Sequence, residues 1–228
     1  MLVPLTRQKF EQLIPRIATG DQYRYMWGKF AYFLQRLLIS VVAVVVVWII
    51  RLFLGEGLGT LLFPPGLVGG FYWLWGPVLW ASLRNGEYRK YKYSGFFRGE
   101  VLDAYITEEL IGKEETVNKK GELMIVENRE SRLNIEVGDE TGFSTQLQVP
   151  LRRAHKELAP GQVAEMVVLS NRSDLSAIAK VTDIYIPSRN LWVSDYPFLQ
   201  RDIFVEVSNR IRDEREPRSR RTSKRRRG

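Results

Sequence analysis

The chain has 228 residues and a formal net charge of +8 at pH 7, and this length leaves room for one soluble domain beside a membrane segment. It contains no cysteine, so disulfides, zinc–thiolate sites, iron–sulfur clusters and thiol catalysis are excluded. Most of the positive charge lies between residues 215 and 228, where eight arginine and lysine residues accompany one glutamate.

Residues 1–33 are predicted to form an amphipathic segment at a membrane interface. Thr6 can cap a short helix, and apolar residues that recur at intervals of three and four would share one face of it. These residues are Phe10, Leu13, Ile14 and Ile17. The helix could lie in the interface or pack on the soluble domain. The aromatic residues between 23 and 33 favour an interfacial entry into the next segment.

Residues 34–84 contain two long apolar stretches joined by a Gly/Pro-rich link and predict a transmembrane hairpin. The first helix is expected at about 34–54 and the second at about 65–83, because Pro64-Pro65 suits a helix start. A helix of about 20 residues spans about 30 Å, the thickness of the hydrocarbon core, and satisfies its own backbone polar groups there. A buried hairpin in a soluble core is the alternative. A cleaved signal peptide fits less well, since the apolar run begins late.

Basic residues on both outer flanks of the hairpin set its expected orientation. Lysine and arginine are frequent before residue 37 and after residue 83, whereas the connecting loop carries only Glu56 beyond Arg51. By the positive-inside rule, both termini are expected on the cytoplasmic side, or on the stromal side of a thylakoid. Arg51 is expected to extend its charged end outward, to Glu56 or to the lipid headgroups. A place in a polar path through the membrane is the alternative for this residue.

The second apolar stretch is predicted to be the half that contacts another membrane protein. Gly66 and Gly70 are four residues apart, the small-residue spacing at which membrane helices approach closely. Trp73 and Trp75 would lie at membrane depth on the same helix. These tryptophans could contact a partner protein, a pigment or a quinone, or pack on the neighbouring helix of their own chain.

Residues 95–187 are predicted to form an all-β domain, a small barrel of the OB-like or SH3-like kind. Apolar residues alternate with period two between polar turns, and closure of the sheet would remove its exposed edges. A short helical stretch is expected between Pro150 and Leu158. The six expected strands cover 95–111, 122–126, 132–137, 143–149, 163–170 and 177–186.

Residues 188–214 are predicted to form a docking segment followed by an amphipathic C-terminal helix. Asp195 can cap this helix with Pro197 in its first turn, and an apolar stripe with a spacing of four follows. The predicted contacts for a soluble partner are Trp192, Tyr196 and Phe198. The alternative is that the helix closes one end of the barrel.

Residues 215–228 are predicted to be a disordered basic tail, because they have no apolar side chain to bury. The tail could bind anionic lipid or RNA, such as that of a ribosome. The residues expected to make this contact are Arg220, Arg221, Lys224, Arg225, Arg226 and Arg227.

No constellation of residues predicts catalysis. His155, the single histidine, is expected to face solvent on a short helix, and neither common nucleotide-binding loop is present. The acidic residues at 108–109 and 114–115 are interpreted as a solvated turn rather than a cation site. We therefore predict no enzymatic activity, no catalytic or metal-binding residue, no cofactor and no small-molecule substrate.

The stretch Asn190-Leu-Trp-Val-Ser-Asp-Tyr-Pro-Phe-Leu-Gln-Arg-Asp-Ile-Phe204 follows the two apolar helices and the barrel. In this arrangement the chain resembles an uncharacterised membrane-protein family of cyanobacteria and plastids. The resemblance implies a thylakoid or plasma membrane, with the barrel on the cytoplasmic or stromal face.

These features together predict a non-enzymatic, membrane-anchored assembly or scaffold factor for a membrane protein complex, and a photosynthetic complex would suit the implied setting. One alternative is a membrane-tethered contact with a ribosome or nucleic acid through the basic tail. Another is a subunit of an oligomeric transporter or channel, for which Arg51 is the only support.

Overall fold

The computed structural model describes the backbone of residues 1–28, 30–117, 121, 123–140 and 142–225, and their side chains except at 55–58, 117 and 215–225. The chain divides into a helical unit, Ile14–Lys90, and a sheet unit composed of Met1–Leu13 and Tyr91–Gly228. The first elements of the sheet unit are strand β1, Leu2–Leu5, and helix α1, Arg7–Leu13. The sheet unit is therefore built from segments on both sides of the helical unit in the sequence.

Four α-helices are described in the helical unit. They are α2, Gly20–Trp27; α3, Phe30–Gly59; α4, Phe63–Gly70; and α5, Tyr72–Arg89, with a 3₁₀ turn at Thr60–Leu62. A buried amide pair fixes α2 to α5. Gln22 Nε2 donates to Asn85 Oδ1 at 3.1 Å, and Asn85 Nδ2 donates to Gln22 Oε1 at 2.8 Å. Because each amide satisfies the other, this polar contact can be buried without leaving an unpaired donor or acceptor between them.

One helix of this unit meets the length and composition of a membrane span. Among the described residues only Phe30–Leu54, within α3, are long and apolar enough to cross a membrane. The predicted single second helix at about 65–83 is wrong, because the backbone leaves the helical region at Phe71, with φ −96° and ψ 11°. The preceding Gly69 and Gly70 are weak helix formers. This part of the structure therefore shows one long apolar helix and two shorter helices rather than the predicted two-helix hairpin.

Among the described residues, the sheet unit contains a large antiparallel sheet of eight strands. After β1 these are β2, Tyr93–Val117; β3, Leu123–Gly138; β4, Ser144–Pro150; β5, Val163–Ser170; β6, Ile178–Val181; β7, Ile184–Ile186; and β8, Leu191–Val193. The main path runs β4-β3-β2-β5-β7-β8, while β1 pairs with β2 and β6 pairs with β5. Among the described residues β4 and β8 form no ladder, so the structure shows an open order of strands and not the predicted closed barrel.

Two strands are longer than the sequence pattern indicated. β2 extends the strand expected at 95–111, and β3 joins those expected at 122–126 and 132–137. Their pairing continues from Glu100 opposite Gly138 to Val117 opposite Leu123. The polar residues at 127–131, which were not expected in a strand, therefore belong to the same ladder. The strand expected at 177–186 is divided into β6 and β7, and β1 was not predicted.

The main apolar core lies on one face of the sheet. Its buried residues are Phe97, Val101, Leu133, Ile135, Val137, Val149, Ala164, Met166, Val168, Ile184, Ile186 and Val193. The C-terminal helix α6, Arg201–Arg225, packs by Phe204 against Phe96, with ring centroids 5.6 Å apart. Phe96 neighbours Phe97 in β2, and successive side chains in a strand point to opposite faces. The sheet is thus apolar on both faces.

The C-terminal helix begins and ends later than predicted. The expected start at Asp195 is wrong, since the backbone N–H groups of Phe198 and Leu199 donate to the carboxylate of Asp183 and α6 starts at Arg201. Its backbone is helical to Arg225, and the predicted disorder of 215–228 stays a prediction. Arginine and lysine are good helix formers. Residues 226–228 lie outside the described residues.

Candidate interaction surfaces

The outer surface of α3 is apolar and largely exposed. Leu38, Trp48 and Phe53 all lie on it, and Phe53 is 86 % exposed. Soluble monomers rarely expose a continuous apolar surface of this size. The 25 residues from Phe30 to Leu54 are enough to span a hydrocarbon layer of about 30 Å. The surface is therefore suited to lipid or to another apolar partner.

The glycines predicted to contact a membrane partner contact α3 of the same chain. A Cβ added to Gly66 would lie 3.1 Å from Val47 Cγ1, and one added to Gly70 would lie 3.1 Å from Val44 Cγ2. The predicted close helix approach is thus present, but within the chain. A partner contact through these glycines stays a prediction.

Trp73 and Trp75 also contact their own helical unit. The ring of Trp73 lies edge-on to Trp27 at 6.3 Å and to Phe33 at 6.1 Å between centroids. Trp75 Nε1 donates to the carbonyl oxygen of Val68 at 2.8 Å. Both indoles remain half-buried. The alternative that these tryptophans pack on neighbouring helices of the same chain therefore accounts for the contacts observed.

The three predicted contacts for a soluble partner lie mainly inside the sheet unit. Tyr196 and Phe198 are buried, and their rings meet at 4.6 Å. Trp192 is half-buried and packs between Tyr185 at 4.7 Å and Phe204 at 5.3 Å. This arrangement favours the alternative in which α6 and its preceding segment cover the sheet.

Two buried carboxyl groups fasten α6 and its preceding segment to the sheet. The oxygens of Asp183 accept the N–H groups of Phe198 at 3.1 Å and Leu199 at 3.2 Å. Burial raises the pKa of Asp183 to about 7, although these hydrogen bonds and the charge of Arg201 act in the opposite direction.

The second carboxyl, Glu165 on β5, accepts the Ser208 hydroxyl of α6 at 2.6 Å. Its other oxygen lies 3.6 Å from Arg98 Nη1. Tyr185 is its cross-strand partner, and burial, together with the charge of Glu165, raises the pKa of that phenol. A buried carboxyl group is tolerated when it has a hydrogen bond and a cation beside it. Glu165 has both, so it is well suited to a structural role.

His155 is buried, so the prediction of a solvent-facing histidine is wrong. It lies in the 3₁₀ turn Arg153–Glu157 and is 4 % exposed. Its Nδ1 accepts the backbone N–H of Arg152 at 3.2 Å. Burial, and to a lesser extent the charge of Arg152, lowers the pKa of His155. The histidine thus closes a turn.

A two-stranded β-ribbon is the largest feature that the sequence pattern did not reveal. We use this name for residues 107–117 of β2 and 123–131 of β3. Ladder contacts of β2 with β5 end at Glu100, and those of β3 with β4 end at Arg132. Beyond these points the two strands pair only with each other among the described residues. At about 3.4 Å per residue the ribbon is about 35 Å long.

Apolar side chains of the β-ribbon are exposed on both of its faces. Leu123 is 75 % and Ile125 is 64 % exposed. The other exposed apolar residues are Leu110, Ile111, Met124 and Val126. An isolated two-stranded ribbon is marginally stable in water, and its open edges are templates for further pairing. The four consecutive apolar residues at 123–126 were the signal in the sequence that could have identified it.

The β-ribbon is also acidic. It holds six glutamates, at 108, 109, 114, 115, 127 and 130, against Lys113 and Arg129, which leaves a net charge of −4. Arg129 pairs with Glu127 at 2.9 Å and with Glu108 at 3.6 Å. The acidic residues at 108–109 and 114–115 are thus exposed as predicted, but in strands rather than a turn. No group of three potential metal ligands occurs among the described residues.

The predicted lipid or RNA contacts lie where side chains are not described. Arg220, Arg221, Lys224 and Arg225 belong to the last turns of α6, whose backbone alone is described, and Arg226 and Arg227 lie outside the described residues. Their role stays a prediction.

Comparison with known proteins adds a family and no function. No curated protein and no solved structure matches the chain. The model of one protein family, described as a family of unknown function (DUF8619), matches residues 3–216. The match includes both the helical and the sheet unit, and it leaves the resemblance to a cyanobacterial and plastid family a prediction. The chain therefore belongs to the family of unknown function DUF8619.

Proposed function

We propose that this protein is a non-enzymatic, membrane-anchored scaffold or assembly factor. In this proposal the helical unit holds the chain in a membrane, and the sheet unit presents the β-ribbon to a protein of a membrane complex. The observation that carries the proposal is the exposed apolar surface of α3 from Phe30 to Leu54. Such a surface is costly in water and stable in lipid.

The pairing of β1 with β2 bears on how the chain would cross the membrane. Leu2 lies opposite Phe97 and Leu5 opposite Ser94, and Gln200 N donates to the carbonyl oxygen of Leu13 at 2.8 Å. Segments before α3 and after α5 thus fold into one unit, and a membrane cannot run through a folded sheet. If α3 crosses the membrane, the chain must cross back before Tyr93.

We propose that α4 and α5 together make the return. No charged residue occurs from Gly57 to Leu83, and α4 packs on α3 through its glycines. The proposal keeps the return of the chain expected from the sequence, with both flanks on one side, but replaces the single second helix by α4 and α5. The basic flanks favour the cytoplasmic side, and the family resemblance favours a thylakoid or plasma membrane.

A signal sequence is a weaker interpretation of α3. Cleavage after α3 would also remove α1, whose Phe10 and Leu13 are buried. It would remove β1 as well, which pairs with β2. The sheet unit would lose part of its core. Retention of α3 as an anchor avoids that loss.

The β-ribbon is the proposed contact surface for the partner protein. Its apolar residues and open edges are accessible, whereas Tyr196 and Phe198 are buried. Partners that add a strand to an exposed edge gain main-chain hydrogen bonds as well as side-chain contacts. A membrane complex with an extended segment at its surface would fit this geometry.

The test compares the full chain with a variant that lacks the β-ribbon. Replacing residues 108–131 by Asn-Gly joins Thr107 to Arg132, its direct cross-strand partner, through a favoured two-residue turn. Both proteins are purified from their native membrane in mild detergent, and co-purified proteins are quantified by mass spectrometry. We expect a membrane protein in constant ratio with the full chain and at least about a tenfold loss with the variant.

The controls separate anchoring from partner binding. A matched variant, Lys113→Ala, changes the ribbon charge but keeps its exposed apolar residues, and we expect it to retain the partner. Recovery of the full chain alone as a monomer, or equal recovery of the partner without the ribbon, would contradict the proposal. The alternative function would be favoured if ribosomes co-purify with the full chain, are lost when residues 215–228 are removed, and are retained when the ribbon is removed.

A further inference from the structure

A cavity of about 510 Å³ lies between α3 and α4. Val44, Val47, Trp48 and Arg51 of α3 line one wall, and their spacing places them on a single face of the helix. Gly66 and Leu67 of α4 line the opposite wall. The volume is in the range of about 300–1,000 Å³ that small-molecule sites occupy. The walls are apolar apart from Thr60 and one charged side chain.

That charged side chain is Arg51, near the end of the apolar span. It precedes Leu54, where the apolar span ends, by less than one helical turn. Its aliphatic stem packs on Gly59, where an added Cβ would lie 2.8 Å from Arg51 Cγ. Among the side chains that the structure describes, which do not include those of residues 55–58, none forms an ion pair with Arg51. Its side chain is exposed, and near the end of a membrane span a guanidinium reaches the level of the anionic headgroups.

We propose that this cavity binds a phospholipid with an anionic headgroup. The phosphate pairs with the guanidinium of Arg51, whose planar fork matches two phosphate oxygens, and an anionic headgroup lacks the cation that offsets this phosphate in phosphatidylcholine. One acyl chain lies along the wall formed by Val44, Val47 and Leu67. The inference rests on the proposed membrane anchor and adds a specific lipid site to it.

The test measures lipid retained by the purified chain. The protein is reconstituted in vesicles of phosphatidylglycerol or phosphatidylcholine, re-extracted in mild detergent, washed and analysed by native mass spectrometry. We expect one retained phosphatidylglycerol per chain and little phosphatidylcholine. Arg51→Gln should reduce the retained phosphatidylglycerol at least about tenfold, and Arg51→Lys should reduce it less, because lysine keeps the charge without the fork.

Two further variants keep the inference falsifiable. Arg16→Gln removes an exposed arginine elsewhere in the helical unit, and we expect it to retain lipid like the wild type. Leu67→Trp fills the cavity without changing its charge and should lower retention even if Arg51→Gln folds poorly. Equal retention of both lipids by the wild type, or unchanged retention by Arg51→Gln, would overturn the inference.

Membrane extraction separates this inference from the proposed function. If alkaline carbonate releases the wild-type chain without detergent, the anchor itself is wrong. If the chain stays in the membrane and retains no phosphatidylglycerol, only the lipid site is wrong.

Discussion

Asp183 is the residue whose protonation should affect stability most directly. Its two oxygens accept N–H groups just before α6, and burial raises its pKa from 3.8 to about 7. The ionised form is therefore less favourable in the folded than in the unfolded chain. Its contribution to stability is fully present below about pH 4 and is lost as the pH rises to about 7.

We predict that the free energy of unfolding of the wild type falls, relative to Asp183→Asn, between about pH 4 and pH 7. The fall should be at most about 4 kcal/mol, since one pKa unit corresponds to about 1.4 kcal/mol. The asparagine cannot ionise, and its NH₂ group facing a backbone N–H gives only a constant offset. Urea unfolding in one detergent, followed by circular dichroism, measures the difference. A free energy of unfolding that rises in the wild type, relative to Asp183→Asn, between pH 4 and pH 7 would contradict the raised pKa.

For individual residues, the sequence predicted only part of the observed contacts and burial. The spacing of Gly66 and Gly70 predicted a close helix approach, and Thr6 was correctly placed before a helix that begins at Arg7. The burial of Asp183 and His155 could not be read from their neighbours in sequence. It depends on segments that pack from many residues away, such as the segment from Ser194 to Gln200.

At the scale of elements, the contact of α3 with α4 depends on small side chains. A Cβ added to Gly69 would lie 2.9 Å from the Cβ of Ala43, an atom that cannot move without its backbone. Gly86, in α5, has no atom within 4 Å of an added Cβ. We predict that Gly69→Ala lowers stability by about 1–3 kcal/mol through overpacking, whereas Gly86→Ala raises it by up to about 1 kcal/mol through helix propensity.

Thermal unfolding of the two variants in the same detergent distinguishes packing from propensity. Both changes add one methyl group to a helical glycine, so propensity alone would stabilise both. A stabilised Gly69→Ala variant would mean that α3 and α4 are not in close contact in the membrane.

The strand elements show why sequence patterns failed for the β-ribbon. Local alternation identified the strands near 163–170 and 143–149, which β5 and β4 confirm within one residue. It divided β3 at residues 127–131, where no apolar residue occurs and where asparagine and serine are typical of turns. The cross-strand ion pairs of Arg129 and Arg132 satisfy those charges in a continuous ladder, and only the pairing partner makes this visible.

At the scale of the molecule, the most consequential feature is that one sheet unit contains segments on both sides of the helical unit. Sequence analysis placed the flanks on one side from charge alone. β1 pairs with β2, so both strands belong to one sheet, and the side on which the flanks lie stays a prediction. Under the proposed membrane anchor, the segment between β1 and β2 would therefore cross the membrane an even number of times.

The absence of cysteine allows a direct test of this topology with single-cysteine variants. Gln12→Cys and Glu140→Cys report on the sheet unit, and Leu61→Cys, 70 % exposed between α3 and α4, reports on the turn. In sealed vesicles we predict that a membrane-impermeant maleimide reacts with the first two from one side and with the third from the opposite side. A permeant maleimide should label all three variants and so controls for reactivity. Labelling of all three from one side would mean that α3 does not cross. Labelling of residues 12 and 140 from opposite sides would require β1 to separate from β2, and would therefore contradict the sheet itself.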